Sequence, residues 1–378
     1  MASSGFVTQS SNPTIQHEME KKLMDLMEAR NDLLDVIRLL LDQNGIDVNC
    51  KDSDEWNALY YLCRLYQKAD LIDIILLLIQ RGIKVDWTNK SRQNAFLFLC
   101  QHYPHKNMID IVQIFIDNNI DIGCTNSNGW NALHHLCRNY KQSNLVDVFR
   151  LLVEHGMDIT CNTRVGWNAL HILCHEKTQD NHMDLIKLFI NLGIDVNSKN
   201  KGGWNALHIL CQNYQKDNLI DIVRLFINHG VDVNCSDDDE RNVLHILCGR
   251  YTEENLVDLV QLLIDHGIDV NSKNGGGWNA LHRNYKKGNL IDIVRLFINN
   301  GIDVKCINDG GWNVLHILCK NCSNLSNLVE IVELLVENGI DVDCKTQHGK
   351  GLNAFKIFCN DNANAKLYNK LKLLLQKK

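Results

Sequence analysis

The stretch GGWNALHILCQNY, residues 202–214, places an asparagine, a histidine and a cysteine within seven positions. Those residue types form the catalytic set of some cysteine proteases. Its Asn-Ala-Leu-His core, or a near copy, occurs nine times, and successive copies are 37 residues apart six times, then 34 and then 40. An active site is a single constellation, whereas a fixed period indicates stacked repeats, so we interpret Asn205, His208 and Cys211 as structural. The repeated asparagines are Asn57, Asn94, Asn131, Asn168, Asn205, Asn242, Asn279, Asn313 and Asn353.

Composition narrows the class of protein. The 378 residues are 45% hydrophobic and 22% charged, which is typical of a folded, soluble chain. A net charge of −6 gives no general attraction to nucleic acid or to an anionic membrane. No apolar run approaches the ~20 residues of a membrane span, and the first residues do not resemble a secretory signal. We therefore expect a cytoplasmic protein, with the nucleus as a further possibility.

The 15 cysteines follow the repeat instead of forming a disulfide or metal framework. Eight share the register of Cys211, six residues after the repeated asparagine, and six share the register of Cys235. Cysteines in one register lie about one helix spacing apart, roughly 10 Å, which is too far for a disulfide. The pattern suits a reducing compartment, and Cys319-Lys-Asn-Cys322 is a lone pair without the second pair of a zinc site. We expect no metal and no cofactor.

One repeat shows how the unit folds. Asn205 is positioned to cap a short helix whose apolar side chains, Leu207, Leu210 and Cys211, recur at helical spacing. Polar residues 212–217 end that helix, and Asn218 can cap a second, amphipathic helix that reaches about His229. Gly230 suits the position after a helix C-terminus, and an alternating segment then leads into a turn. Neither helix can bury its apolar face alone, so neighbouring units must stack.

This unit resembles the ankyrin repeat over residues 31 to 378. Asn-Ala-Leu-His stands where that family has Thr-Pro-Leu-His, and the run from Leu219 to Asn234 is close to the family's second helix and hairpin. The family's repeat has 33 residues, so the four extra ones here are most simply placed between the two helices. The resemblance implies an all-α solenoid of stacked helix-loop-helix units joined by β-hairpin-like turns.

The predicted organisation has four parts. Residues 1–14 are a disordered N-terminus and residues 15–49 form capping helices. Eight repeats, the seventh shortened, occupy residues 50–343, and a C-terminal capping repeat occupies residues 344–378. The terminal segment 366–378 alternates lysine and leucine, as expected for a capping helix with one solvent-exposed face.

The resemblance implies that partner proteins bind at the hairpin tips and at the first helices, which line a concave face. A tryptophan precedes the asparagine in six repeats, and we weigh stacking of hairpin on hairpin against partner contact for these residues. Arginines, each followed by a tyrosine, mark the ends of several first helices, and both types are enriched at interfaces. An acidic run at one tip is either a solvated turn or a docking point for a basic partner. The candidate contact residues are Trp130, Trp167, Trp204, Trp278, Trp312, Arg64, Arg138, Arg250, Arg283, Asp237, Asp238, Asp239 and Glu240.

The leading functional hypothesis is a non-enzymatic, monomeric scaffold for protein partners. One alternative is a substrate-recruiting or regulatory subunit of a larger complex, of the ubiquitin-ligase or phosphatase type. Another follows from the resemblance, because similar arrays are substrates of asparaginyl hydroxylases that prefer a leucine eight residues before the target. Asn49, with Leu41, and Asn271, with Leu263, fit that pattern.

The seventh repeat departs from the period. After Asn279-Ala-Leu-His282 the chain lacks the Ile-Leu-Cys that follows His208, and Arg283 stands in the place of Gln212. The loss removes nearly one helical turn and two buried side chains. We predict a shortened first helix and the weakest link of the array here. A coding-sequence error that dropped nine nucleotides is the alternative explanation.

Overall fold

The computed structural model describes residues 47–176, 182–216, 218–251, 253–283, 289–321, 327–347 and 351–361, together with Lys372 and Leu374. Within these residues the regular structure is helical, apart from two isolated antiparallel bridges, Lys51 with Asn57 and Thr88 with Asn94. The expected disordered N-terminus lies outside the described residues, as does nearly all of the predicted N-terminal cap and of the terminal helix. The all-α, stacked architecture is as predicted.

A short first helix follows the repeated asparagine in each regular repeat. Asn205 has an extended backbone, and its side-chain oxygen accepts a hydrogen bond from the backbone N–H of His208 at 3.1 Å. This is the predicted N-cap geometry, which satisfies one of the free N–H groups of the first turn. The first helices are Ala58–Leu65, Ala95–His102, Ala132–Asn139, Ala169–His175, Ala206–Asn213, Val243–Arg250, Val314–Asn321 and Ala354–Asp361.

A longer second helix completes each unit, and one detail of its prediction was wrong. Asn218 precedes such a helix, but its side chain makes no capping hydrogen bond; its Oδ1 instead accepts one from the Tyr214 hydroxyl at 2.8 Å. At the other end Gly230 has a φ of +76°, a left-handed conformation that glycine adopts without steric cost. The second helices are Leu71–Gln80, Met108–Asp117, Leu145–Glu154, His182–Asn191, Leu219–Asn228, Leu256–Asp265, Leu290–Asn299 and Leu328–Glu337.

The core lies between the helices of successive repeats. Leu207, Leu210 and Cys211 are fully buried, as predicted, and so are Ile222 and Phe226 of the second helix. The chain divides into two compact units between Ile194 and Asp195. In each compact unit the first helix of one repeat packs against the first helix of the next, so neighbouring repeats of the same unit cover each other's apolar stripes.

The loop between the two helices, where we expected the extra residues of the repeat, is linked to the loop before it. The Tyr140 hydroxyl lies 2.9 Å from both the Asn144 Oδ1 atom and the carbonyl oxygen of His105 in the preceding loop. The Asn144 amide donates to the carbonyl of Lys106 at 2.7 Å. Successive loops are thus joined by tyrosine and asparagine side chains. Equivalent tyrosine-to-Asx contacts, four residues apart, occur at Tyr66, Tyr103, Tyr214 and Tyr251.

The same contacts correct an expectation about these tyrosines. Tyrosines at the ends of the first helices are of a type enriched at interfaces, but Tyr66, Tyr140, Tyr214 and Tyr251 are no more than 2% exposed. Their rings fill the space under the loop, and their hydroxyls bond within the array. Tyr285, which was predicted with them, lies outside the described residues.

The seventh repeat has the shortened first helix that its sequence predicts. In place of an eight-residue α-helix it forms a four-residue 3₁₀ turn, Ala280–Arg283. Ala280, Leu281 and His282 are buried, but no residues correspond to the buried Leu210 and Cys211. Loss of such core side chains typically costs ~2–5 kcal/mol each where the site cannot collapse.

Restoring the missing turn should therefore stabilise the array. We expect that insertion of Ile-Leu-Cys after His282 raises the urea midpoint of unfolding, because it supplies the buried apolar residues that the other repeats contain. Insertion of Gly-Gly-Gly at the same place is the matched control and should not raise it. In the unmodified protein the amides of 280–283 should exchange with solvent faster than those of 206–213, and equal protection would contradict the weak-link hypothesis.

Candidate protein-binding surface

The repeated tryptophans lie at the entry to the first helices and are half-buried. In five repeats the indole ring lies 5.3–6.2 Å, centroid to centroid, from the ring of the buried histidine four residues later. Trp56 meets Tyr60 in the same way, at 3.7 Å. Each ring therefore has an internal packing role and still presents part of its surface to solvent. The five rings that pack on histidine belong to Trp130, Trp167, Trp204, Trp278 and Trp312.

Cations from the ends of the first helices lie over these indole rings. The Arg64 guanidinium is 4.6 Å from the ring centroid of Trp56, and that of Arg138 is 5.5 Å from the ring of Trp130. Lys320, which sequence reasoning did not select, lies 5.2 Å from Trp312. It occupies the helix position of Arg64 and Arg138, so alignment by register would have found it. Cation–π pairs at exposed sites contribute about 0.5–1 kcal/mol and hold the charged group in place.

Charge is segregated between the two sets of helices. The seven α-helical first helices before residue 322 contain no aspartate or glutamate, and four of them have an arginine or lysine in the last turn. All eight second helices carry an acidic residue in the first turn and no basic residue in the last. Both placements at the helix ends suit the helix dipole. Consequently the first-helix face is basic although the chain as a whole is acidic.

The repeated histidines fasten one repeat to the next. The His134 Nε2 atom lies 3.1 Å from the carbonyl oxygen of Trp167, and the His245 Nε2 atom lies 2.8 Å from that of Trp278. The His134 Nδ1 atom accepts from the Asn131 backbone N–H at 3.1 Å, which assigns the donating proton to Nε2. Burial lowers the pKa of His134 and of His208 to about 4, so both are neutral at pH 7. The structural interpretation of these histidines is consistent with this geometry.

The arrangement around Asn205 does not favour catalysis. The His208 Nδ1 atom lies 2.6 Å from the Asn205 side-chain oxygen, and its Nε2 atom lies 3.2 Å from the carbonyl of Arg241. Both ring nitrogens thus lie beside structural oxygen atoms, and the neutral ring can donate a hydrogen bond to one of them. Burial raises the pKa of the Cys211 thiol, and the side chain is fully covered. A buried neutral thiol lacks the thiolate that nucleophilic catalysis requires.

The acidic run at residues 237–240 is not a uniformly exposed patch. Asp237 is 5% exposed, and its carboxylate accepts hydrogen bonds from the backbone N–H groups of Asp239, at 3.0 Å, and Arg241, at 2.8 Å. The Arg241 guanidinium also pairs with Asp237 at 2.8 Å and with Asp239 at 3.0 Å. Neither alternative considered for the run, a solvated turn or a docking point, fits the buried Asp237, and Asp239 is partly neutralised. Asp238 and Glu240 remain exposed.

The register of the repeat explains the role of Asp237. Asp52 and Asn126 occupy the same position in other hairpins, and the side chain of each accepts from the backbone N–H groups two and four residues later at 2.8–3.0 Å. This side chain closes the turn in every such repeat. Comparison by register would have separated Asp237 from the run, which local charge alone did not.

Asp237 and Asp238 should therefore respond oppositely to mutation. We expect Asp237→Ala to lower the free energy of unfolding by about 1–3 kcal/mol, because Arg241 and two backbone N–H groups lose their acceptor. Asp238→Ala should change it by no more than about 0.5 kcal/mol, since that side chain is exposed. Urea titrations of both variants provide the measurement. Equal stability of the two would show that the turn does not depend on Asp237.

Buried neutral histidines also predict a pH dependence of stability. Burial lowers the pKa of His135 to about 3, whereas an unfolded histidine titrates near 6.5. Between those values the unfolded chain binds the proton that the folded chain excludes, so stability falls as the pH decreases below about 6.5 and is fully present above it. The slope is ~1.4 kcal/mol per pH unit for each such histidine.

His135 offers a matched test, because five other repeats have isoleucine at its position, as at Ile172 and Ile209. We expect His135→Ile to raise the urea midpoint and to reduce its loss between about pH 7 and pH 5, where carboxylates stay largely ionised. The exposed His155, changed to Gln, should leave that slope as it is. An unchanged slope in His135→Ile would contradict the prediction.

The asparagines proposed as hydroxylation sites connect successive hairpins. The Asn271 amide donates to the Gly301 carbonyl at 3.0 Å, and its Oδ1 atom accepts from the backbone N–H of Asp303 at 2.6 Å. Asn49 makes the equivalent contacts with Gly82, at 3.0 Å, and Lys84, at 2.7 Å. Asn197 and Asn234 do the same in their repeats. These side chains are therefore structural links as well as candidate modification sites.

Two classes of site find no support in the described part of the chain. Its histidine, cysteine, aspartate and glutamate side chains form no group of three or more that could hold a metal ion. None of its helices has the length and apolar character to cross a membrane. The thirteen cysteines whose side chains it describes are all free thiols.

Comparison with known proteins agrees with this architecture. The family model described as ankyrin repeats (3 copies) matches residues 96–200, 174–274 and 251–346. The matches overlap and together span about two thirds of the chain. A search of curated proteins found no significant match to this chain.

Proposed function

Because the chain belongs to the ankyrin-repeat family, we propose that it is a non-enzymatic scaffold that binds other proteins through its first-helix face and hairpin tips. Ankyrin repeats are protein-interaction modules, and the identity of the partners is not set by the family. We further propose that the protein acts as a monomer in a reducing compartment, which the free, mostly buried cysteines support.

The observation that carries this proposal is the recurrence, in both compact units, of an indole ring covered by a cation. Trp56 with Arg64, Trp130 with Arg138, and Trp312 with Lys320 each combine a half-buried aromatic ring with a positioned charge. Tryptophan and arginine are the residues most often found at the energetic centre of protein interfaces. Because the rings are already packed on one side, little side-chain entropy remains to be lost when a partner covers the other side.

Affinity capture with cross-linking mass spectrometry tests the proposal. We expect captured proteins to cross-link to the first-helix face and hairpin tips, and Arg138→Glu to reduce their yield severalfold, because it reverses the charge over Trp130. Arg150→Glu makes the same change on a second helix and should have little effect. No specific capture, or equal losses with both variants, would refute the proposal. Co-purified ligase or phosphatase subunits would favour the alternative of a recruiting or regulatory subunit.

Hydroxylation of Asn49 and Asn271 remains a separate hypothesis. Its support is the leucine eight residues before each asparagine. Since each amide makes two hydrogen bonds to the next hairpin, an enzyme would have to open that contact before reaching the side chain. The intact mass after co-expression with an asparaginyl hydroxylase decides it, because modification adds one oxygen per site and an unchanged mass excludes it.

A further inference from the structure

The sixth repeat differs from its neighbours at two positions on the first-helix face. Arg241 stands where most repeats have the tryptophan, and its guanidinium lies 5.5 Å from the ring of Trp204 in the preceding repeat. Gly249 occupies the helix position of Arg64, Arg138, Gln212 and Lys320. The sixth repeat therefore lacks both the aromatic ring and the long side chain that cover this face elsewhere.

The missing side chains leave a cleft of about 650 Å³ in the unit 195–378. Gln212 and Gln215 border it on one side and Arg250 and Arg283 on the other, with Arg241 and His245 also in its walls. A Cβ atom at Gly249 would lie 3.6 Å from the Cδ atom of Arg283, so the stem of that arginine passes across the glycine. The shortened seventh repeat supplies Arg283, and thus both irregular repeats contribute to one cleft.

The charge of this cleft is positive and largely uncompensated. Arg241 is paired with Asp237 and Asp239, but Arg250 and Arg283 are exposed and form no ion pair with any other described residue. No aspartate or glutamate is among the residues that line the cleft. Two free guanidinium groups on one wall favour carboxylate or phosphate groups, which they bind through paired N–H donors.

A second cleft, of about 540 Å³, adjoins Arg283 on its other side. Its walls include the indole rings of Trp278 and Trp312 together with Lys320. The buried His282 also lies among its lining residues. Apolar ring surface and a cation thus lie next to the arginine-lined cleft.

We propose that Arg250 and Arg283 bind the carboxylates of an acidic segment in a partner protein, and that an apolar side chain of the same segment occupies the space between Trp278 and Trp312. This inference rests on the proposed scaffold function and names the chemistry of one partner. For the acidic tip, residues 237–240, we considered a basic partner. The open clefts beside that tip are themselves basic and favour an acidic partner instead. A protein segment is favoured over nucleic acid because the chain carries a net charge of −6 and every second helix in the described range has an acidic residue in its first turn.

Binding of a model peptide to the full chain tests the proposal directly. The probe is a fluorescein-labelled peptide of repeated Gly-Glu-Leu units, followed by fluorescence anisotropy, with the Gly-Gln-Leu peptide and an oligothymidylate of equal charge as comparisons. We expect the acidic peptide to bind and the glutamine peptide not to bind. Arg250→Gln and Arg283→Gln should each raise the Kd about tenfold or more, because each removes a charged donor pair.

Two matched variants separate the cleft from general effects of charge and folding. Arg224→Gln removes one positive charge from a second helix outside the cleft and should change the Kd less than about twofold. Gly249→Gln places in the cleft the side chain that Gln212 has in the preceding repeat. It should weaken binding about tenfold while raising the urea midpoint, since glycine disfavours a helix. Gly249→Ala should raise the midpoint and leave binding largely intact.

The results of these binding measurements separate the cleft proposal from the scaffold function and from nucleic-acid binding. Loss of binding with Arg224→Gln, or tight binding by Gly249→Gln, would overturn the proposal, and so would failure of the acidic peptide to bind. Oligothymidylate binding with the same dependence on Arg250 and Arg283 would show a nucleic-acid site instead and equally overturn it. If the peptide fails but captured proteins cross-link to other first helices, the scaffold function stands and only the cleft assignment is wrong.

Discussion

Within each unit, the fold depends on hydrogen bonds from a buried, neutral side chain in one repeat to the backbone of the next. At the hairpins this side chain is the histidine of Asn-Ala-Leu-His, as His134 shows with the carbonyl of Trp167. A charged imidazole could not remain in this apolar position, so burial and neutrality are inseparable there. Six of the nine copies have histidine at this position, where it serves this structural role. Whatever distinguishes this protein from other arrays must lie at positions that change from repeat to repeat.

Periodicity predicted most of the fold, because each physical requirement recurs in the sequence. The N-cap asparagines, the buried Leu207, Leu210 and Cys211, and the short turn after His282 all followed from register or spacing. The errors came from local patterns in which a side chain has two possible roles. Asn218 looks like a helix cap and instead receives a tyrosine hydroxyl, which only the packing of the loop reveals.

In the candidate site too, some features could be predicted from the sequence and others could not. The positions of the tryptophans and of Arg64 and Arg138 could be predicted, but not that the cations would lie over the rings, because that depends on side-chain conformation. Asp237 was assigned to an exposed run since composition cannot distinguish a carboxylate that closes a turn from one in solvent. The basic clefts beside it could not be predicted, because they result from absences: no side chain at Gly249 and three residues missing after His282.

The loop that lengthens the repeat has a mechanical consequence. Neighbouring repeats are joined at one edge by histidines and asparagines of the hairpins, and at the other by tyrosines and asparagines of the inter-helix loops, as Tyr140 and Asn144 show. Tilting one repeat against the next in either direction must therefore stretch bonds at one of the two edges. If neighbouring repeats were hydrogen-bonded at one edge only, they could tilt apart at the opposite edge. Within each compact unit this protein should instead resist bending both ways, so that a partner meets a surface whose spacing is fixed before it binds.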